Sequence, residues 1–168
     1  MAGFHTKTFI KHDDYMTPKT AWEQIQQYIP RNKVLWEAFY GDGKSGSHLQ
    51  ELGFETIHED IDFFQHNVGD IVVSNPPFSH IKQILTRLVL ELDKPFILIM
   101  PVSKLNAVYF QTIMKDKTEH LQLIVPRTRI QFIKDGIKKE NRCNFDCFYY
   151  CYKIGLDKSI IFLDKPFT

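Results

Sequence analysis

Asn75-Pro76-Pro77-Phe78 follows directly on the apolar run Asp70-Ile71-Val72-Val73-Ser74. Two prolines after a strand remove backbone donors and force an extended turn, so Asn75 and the carbonyl of Pro76 are held rigidly at the sheet's edge. An amine conjugated to a purine ring is a poor nucleophile because its lone pair is delocalised. Two acceptors, the Asn75 side-chain oxygen and the Pro76 carbonyl, suit the two N–H groups of such an amine and would steer its lone pair toward an incoming electrophile. Phe78 supplies a ring on which a base can stack, a contact worth about 1–3 kcal/mol per base. Read as packing alone, the same residues are a proline turn with Phe78 as a core plug.

The second constellation is Glu37-Ala38-Phe39-Tyr40-Gly41-Asp42-Gly43-Lys44-Ser45. Ala38 to Ser45 can be written as a relaxed phosphate-binding loop, with Lys44 on terminal phosphates and Ser45 on magnesium. That reading lacks an apolar strand ending in an aspartate for the metal, and it places bulky Phe39 and Tyr40 where the loop should wrap phosphate. The alternative is an acid at a strand end followed by Gly41 and Gly43, which let backbone pass close to a ligand. A nucleoside with a charged amino-acid tail, such as S-adenosylmethionine, fits this pattern: Gly41 and Gly43 face the amino acid, Glu37 lies near its ammonium, and Glu59 or Asp60 accepts the ribose hydroxyls.

The elements that must position these residues follow from periodicity. Thr17-Pro18 predicts a helix start, and Ala21, Trp22, Ile25, Tyr28 and Ile29 recur at helical spacing up to Pro30. Residues 33–39 predict a strand, 47–52 a helix, 54–58 and 70–74 two more strands. Ile81, Ile84, Leu85, Leu88, Val89 and Leu92 form a wide apolar helical stripe. Phe96 to Met100 predicts a buried strand, Asn106 to Met114 a helix and Leu121 to Val125 a strand. Such alternation predicts an α/β fold, a parallel sheet covered by helices on both faces with ligands at the carboxyl ends of its strands, where both constellations lie. Residues 129–134, 145–154 and 159–163 read as strands without helices between them, so an antiparallel edge is expected.

The chain of 168 residues, 43% hydrophobic and 24% charged, is sized and composed for one globular core, which excludes disordered and fibrous classes. Residues 1–12 read as a flexible N-terminal arm and 13–168 as a single domain. A formal charge of +1 means that any nucleic-acid surface must be local. Arg127, Arg129, Lys134, Lys138, Lys139 and Arg142 crowd one stretch and form a candidate phosphate-contacting loop, unless they are simply a solvated face. Cys143, Cys147 and Cys151 lack the spacing of a metal site and read as small buried hydrophobes; no metal is expected. His58 and His80 flank the motifs without entering them, and Tyr149, Tyr150 and Tyr152 read as packing residues. Neither a signal peptide nor a membrane span is evident, and an odd cysteine count suits a reducing compartment, so a soluble intracellular protein is expected.

Taken together, the motifs resemble those of class I S-adenosylmethionine-dependent amino-methyltransferases, and most of all the small phage and viral DNA N6-adenine methyltransferases, over about residues 13–152. Asp14-Tyr15-Met16-Thr17-Pro18 resembles that family's first cofactor-contacting segment, which implies cofactor roles for Tyr15, Thr17 and Pro18. Glu37-x-Phe39-x-Gly41-x-Gly43 resembles its Asp-x-Phe-x-Gly-x-Gly motif with glutamate in the acidic place, and Asn75-Pro76-Pro77-Phe78 is its catalytic string. Asp62-Phe63-Phe64 resembles the segment that holds the cofactor adenine, and Asp60, or Glu59 beside it, is the implied ribose ligand. The resemblance implies a Rossmann-like class I methyltransferase fold, a mostly parallel seven-stranded sheet with an antiparallel C-terminal hairpin. It also implies methyl transfer to N6 of adenine in DNA.

Family members that read a sequence usually carry a target-recognition domain. Nothing here is long enough for one, so specificity is expected to be weak or supplied by a protein partner. Related motifs also occur in relatives acting on RNA adenine, guanine N2 and protein glutamine, and a non-catalytic substrate-binding subunit is a further alternative.

Overall fold

The computed structural model describes residues 15–134, 137–138 and 145–164. Seven strands form one sheet in the order β2-β1-β3-β4-β8-β5-β9. These are β1 (Leu35–Trp36), β2 (Thr56–Ile57), β3 (Ile71–Ser74), β4 (Phe96–Pro101), β5 (Leu121–Val125), β8 (Cys147–Tyr152) and β9 (Ile160–Phe162). A separate two-stranded hairpin, β6 (Ile133–Lys134) with β7 (Ile137–Lys138), stands outside it. The α/β class, the mostly parallel seven-stranded sheet and the helices on both faces are those expected.

The antiparallel component differs in its place. β8 is antiparallel to both β4 and β5 and lies inside the sheet, whereas the edge strand β9 runs parallel to β5. Burial explains the insertion: Cys147, Tyr149, Tyr150, Cys151 and Tyr152 are all buried, which only an interior strand allows.

Strand alternation builds two cores, one on each face. Leu35, Val73, Ile97, Ile99, Tyr149 and Cys151 face Ala21 and Trp22 of α1 (Lys19–Glu23) and Leu49 of α2 (Lys44–Glu51). Trp36, Val72, Leu98, Met100, Tyr150 and Tyr152 face Ile81, Ile84 and Leu85 of α3 (Ile81–Leu85) and Phe110, Ile113 and Met114 of α4 (Val108–Met114). The stripe expected to form one helix over 81–92 instead widens into a π-helical segment at Thr86–Glu91. Tyr149 Oη donates to the carbonyl of Ala21 at 2.6 Å and Tyr150 Oη to that of Pro101 at 2.8 Å, so the two tyrosines satisfy buried carbonyls on opposite faces. No described helix is long and apolar enough to cross a membrane.

The sheet order creates the site. From β1 the chain crosses to β2 on one side, then returns to β3 on the other side of β1. The loops leaving β1 and β3 therefore diverge, and this reversal of strand order is where open α/β sheets bind ligands.

Candidate functional site at the strand reversal

The glycine turn leaves β1 and Asn-Pro-Pro-Phe leaves β3, so the two constellations border one crevice. Gly41 and Gly43 have φ of +61° and +81°, which an L side chain adopts only at a cost. Their faces are covered by the chain itself: a Cβ on Gly41 would lie 2.9 Å from Met16 Sδ, and one on Gly43 would lie 2.7 Å from Tyr40 Oη. Gly43 is the N-cap of α2, which begins at Lys44, earlier than the expected residue 47.

Glu37 is 1% exposed. Its Oε1 accepts from the Phe39 N–H at 3.2 Å and from the Ser74 hydroxyl, while its Oε2 accepts from Ser45 Oγ at 2.5 Å. Trp22 Nε1 in turn donates to Ser45 Oγ at 2.9 Å. Burial pushes the Glu37 carboxyl up to about 7, against the opposing pull of these three donors. Because the Ser45 hydroxyl is buried between Glu37 and Trp22, it is not turned outward as a magnesium ligand, and the phosphate-loop reading loses its metal contact.

Asn75 is half-buried. Its Nδ2 donates to the carbonyl of Tyr15 at 3.2 Å, and its Oδ1 is buried without a hydrogen-bond partner. Segment 15–18 is fixed in turn by two backbone bonds between Met16 and Ile133, of 2.6 and 2.8 Å. Beside Asn75, Phe78 meets Phe145 edge-on with centroids 5.1 Å apart, and Tyr15 meets Phe145 at 5.8 Å and Phe132 at 6.4 Å. Pro76 and Pro77 are buried, and Pro77 caps the 3-10 turn Phe78–His80.

Tyr15, Met16, Thr17, Glu37, Phe39, Tyr40, Gly41, Asp42, Ser45 and Asn75 line one cleft, whose volume is about 20 Å³. Ligand pockets run to about 300–1,000 Å³, so a nucleoside would enter only as the Met16 thioether and the Tyr40 ring swing off the glycines. Both are side chains at the cleft wall, so the close cover over the two glycines is not made by backbone. Larger clefts of about 700 and 440 Å³ lie around residues 23–30 and 154–164 and include none of the motif residues. The small cleft is the better candidate because strand order, glycine turn and an unpartnered buried acceptor converge on it.

Other expected site residues lie elsewhere. Pro18 and Gly43 are buried next to the cleft without lining it. Phe63 is fully buried in the core, stacked on Trp36 at 5.6 Å and against Phe39 at 4.9 Å, not presented at the cleft. Asp62 spends its carboxylate on the Phe64 N–H at 2.9 Å, capping a 3-10 turn, while Glu59 and Asp60 are exposed beyond β2.

Of the basic stretch, Arg127 donates to the Asp164 carbonyl at 3.0 Å. Arg129 pairs with Asp146 at 2.9 and 3.3 Å, holding that carboxyl below its ordinary range. The backbones of Lys134 and Lys138 form the β6–β7 hairpin; Lys139, Arg142 and Cys143, like the expected arm at 1–12, lie outside the described residues. Sequence reasoning missed Trp22, Ser45 and Ser74 around Glu37, and Met16 and Tyr40 over the glycines. Ser74 was visible only as the residue before Asn75.

No protein-family model matches the chain, and no curated protein matches it. Among solved structures, it is similar to a Listeria monocytogenes protein described as a candidate class I S-adenosylmethionine-dependent methyltransferase. The two are 13% identical, with a TM-score of 0.48, over 93% of this chain and 67% of the other.

Proposed function

We propose that the protein is an S-adenosylmethionine-dependent methyltransferase that acts on N6 of adenine in DNA. The observation that carries this reading is the buried, unpartnered Oδ1 of Asn75, set at the strand reversal opposite the glycine turn. An acceptor left unpaired in a protein interior costs about 1–3 kcal/mol, a cost recovered when a substrate N–H reaches it. S-adenosylmethionine supplies an electrophilic methyl on a sulfonium for in-line displacement. In this reading Tyr15, Thr17 and the backbone at Phe39 and Gly41 hold it in the cleft, with Asp60 or Glu59 on its ribose.

Asn75 Oδ1 accepts one N–H of the target amine and the Pro76 carbonyl the other, keeping the nitrogen lone pair toward the methyl. As the carbon–nitrogen bond formed, the carbon–sulfur bond would break and S-adenosylhomocysteine would leave; the alkylated nitrogen, by then acidic, would give its proton to water, so no charged base is needed at the first step. Phe78, among the rings of Tyr15, Phe132 and Phe145, offers an aromatic face for a base drawn out of the duplex. Arg127, Lys134, Lys138, Lys139 and Arg142 are the proposed phosphate contacts, and in this reading a protein partner supplies sequence preference in place of a recognition domain.

Calorimetry is expected to find S-adenosylmethionine binding without magnesium. Asn75→Ala should abolish turnover while costing far less in affinity, because it removes the grip on the target amine, whereas segment 15–18, though it loses the bond from Asn75 to the Tyr15 carbonyl, is still held by the backbone bonds between Met16 and Ile133. A preference for magnesium–ATP, or equal loss of affinity and turnover in the variant, would overturn the assignment.

A further inference from the structure

The glutamate of the glycine-turn motif is turned inward. Both of its oxygens are engaged by the protein, Oε1 by Ser74 and Phe39 and Oε2 by Ser45, and the side chain is nearly inaccessible. Its partners come from three places in the fold: the end of β3, the turn after β1 and the first turn of α2, with Trp22 of α1 behind Ser45. β1 and β3 are paired only at Leu35↔Ile71 and Trp36↔Val72, after which β3 continues beside β4. The bond from Ser74 to Glu37 therefore joins the two strand ends beyond their last backbone pairing, where their loops diverge.

We infer that Glu37 and Ser74 are positioning residues, a carboxyl–hydroxyl tie across the strand reversal that sets the orientation of Asn75. The inference deepens the proposed reading and rests on Asn75 being the residue that grips the acceptor amine. Asn75 is the next residue after Ser74. Its side chain is held on one side by the Tyr15 carbonyl, and Pro76 beyond it has no N–H with which to anchor the turn. Ser74 is the last anchored position before the turn, and a misplacement of about 1 Å at a reacting group can cost on the order of 10²-fold in rate. The direction of the Glu37 titration agrees with this role: burial is its largest cause, hydrogen bonds from Ser45, Ser74 and Phe39 oppose it, and among the described residues no charged group on the packed elements contributes.

Two variants separate this role from direct contact with a cofactor ammonium. Ser74→Ala removes the tie. Glu37→Gln removes the charge but keeps an oxygen for Ser74 and Phe39 and an amide to face Ser45. The readouts are S-adenosylmethionine affinity by calorimetry, methyl-transfer kcat, and the side-chain amide of Asn75 by NMR, through its exchange rate and its NOE to Tyr15.

In Ser74→Ala, the Asn75 amide is expected to exchange at least tenfold faster and to lose the NOE, with kcat down about 30–100-fold and cofactor affinity within threefold. Glu37→Gln should leave both the NMR signature and the affinity at wild-type levels. A tenfold loss of affinity in Glu37→Gln, or a wild-type Asn75 signature in Ser74→Ala, overturns the inference. The NMR arm uses the protein alone, so it decides the tie even if the wild type fails to bind S-adenosylmethionine, a result that would refute the proposed function instead.

Discussion

Replacing Glu37 by glutamine should make the protein more stable at pH 8 and should remove a specific pH dependence. The carboxyl has an ordinary value of 4.5 and is pushed up to about 7 in the fold. Between these values the native state holds a proton that the unfolded chain has released, so this group's contribution is fully present below 4.5 and is lost as pH rises through 7. The gap corresponds to roughly 3 kcal/mol. Glutamine mimics the protonated acid at all pH values. Wild type and Glu37→Gln should therefore unfold at similar urea concentrations at pH 4.5, and the variant should gain a midpoint higher by about 1–3 M at pH 8, for a urea slope of about 1–3 kcal/mol/M. Groups with other shifts, such as the salt-bridged Asp93 and Asp146, are common to both proteins and cancel in the difference. Parallel pH profiles for the two proteins would refute the reasoning, since they would mean that Glu37 ionises in the fold at its ordinary value.

Gly43→Ala and Gly155→Ala share a nearly equal left-handed φ, +81° and +78°, but only the first meets a neighbour, Tyr40. Gly155→Ala should cost about 1 kcal/mol and Gly43→Ala measurably more, at about 2–4 °C of melting temperature per kcal/mol; equal melting shifts would mean that Tyr40 does not cover the glycine. Tyr149→Phe strands the Ala21 carbonyl and should cost about 1–3 kcal/mol in urea unfolding, and a neutral result would deny that bond any weight. Reversing charge at Lys138 and Lys139 should weaken DNA binding and flatten its dependence on salt, whereas an unchanged slope in a salt titration would remove these lysines from the interface.

The order of strands and helices was legible because strands buried on both faces leave short continuous apolar runs, Ile71 to Val73 and Phe96 to Met100, and a helix buried on one face leaves the stripe in Ile81 to Leu88. The crevice was legible for a related reason: Gly41, Gly43 and the prolines after Ser74 are local punctuation, and the chain order places them at neighbouring strand ends. Partnership across the sequence was not. Glu37 and Ser74 are 37 positions apart, and no local pattern says that a carboxylate will spend its oxygens on serines instead of a ligand. Phe63 shows the same limit, because an aromatic beside an acid looks alike whether it stacks on a base or fills the space between Trp36 and Phe39. The interior place of β8 depended on its pairing with β4, set by register between residues 96–101 and 147–152, which periodicity within either segment does not encode.

The most direct test of the account is incubation of the protein with methyl-tritiated S-adenosylmethionine and separate pools of DNA, RNA and protein, followed by hydrolysis and chromatography of the labelled products. Label recovered as N6-methyladenine from the DNA pool, and lost with Asn75→Ala, is the predicted result. Absence of transfer to any pool, or label on glutamine that persists in the Asn75 variant, would contradict it.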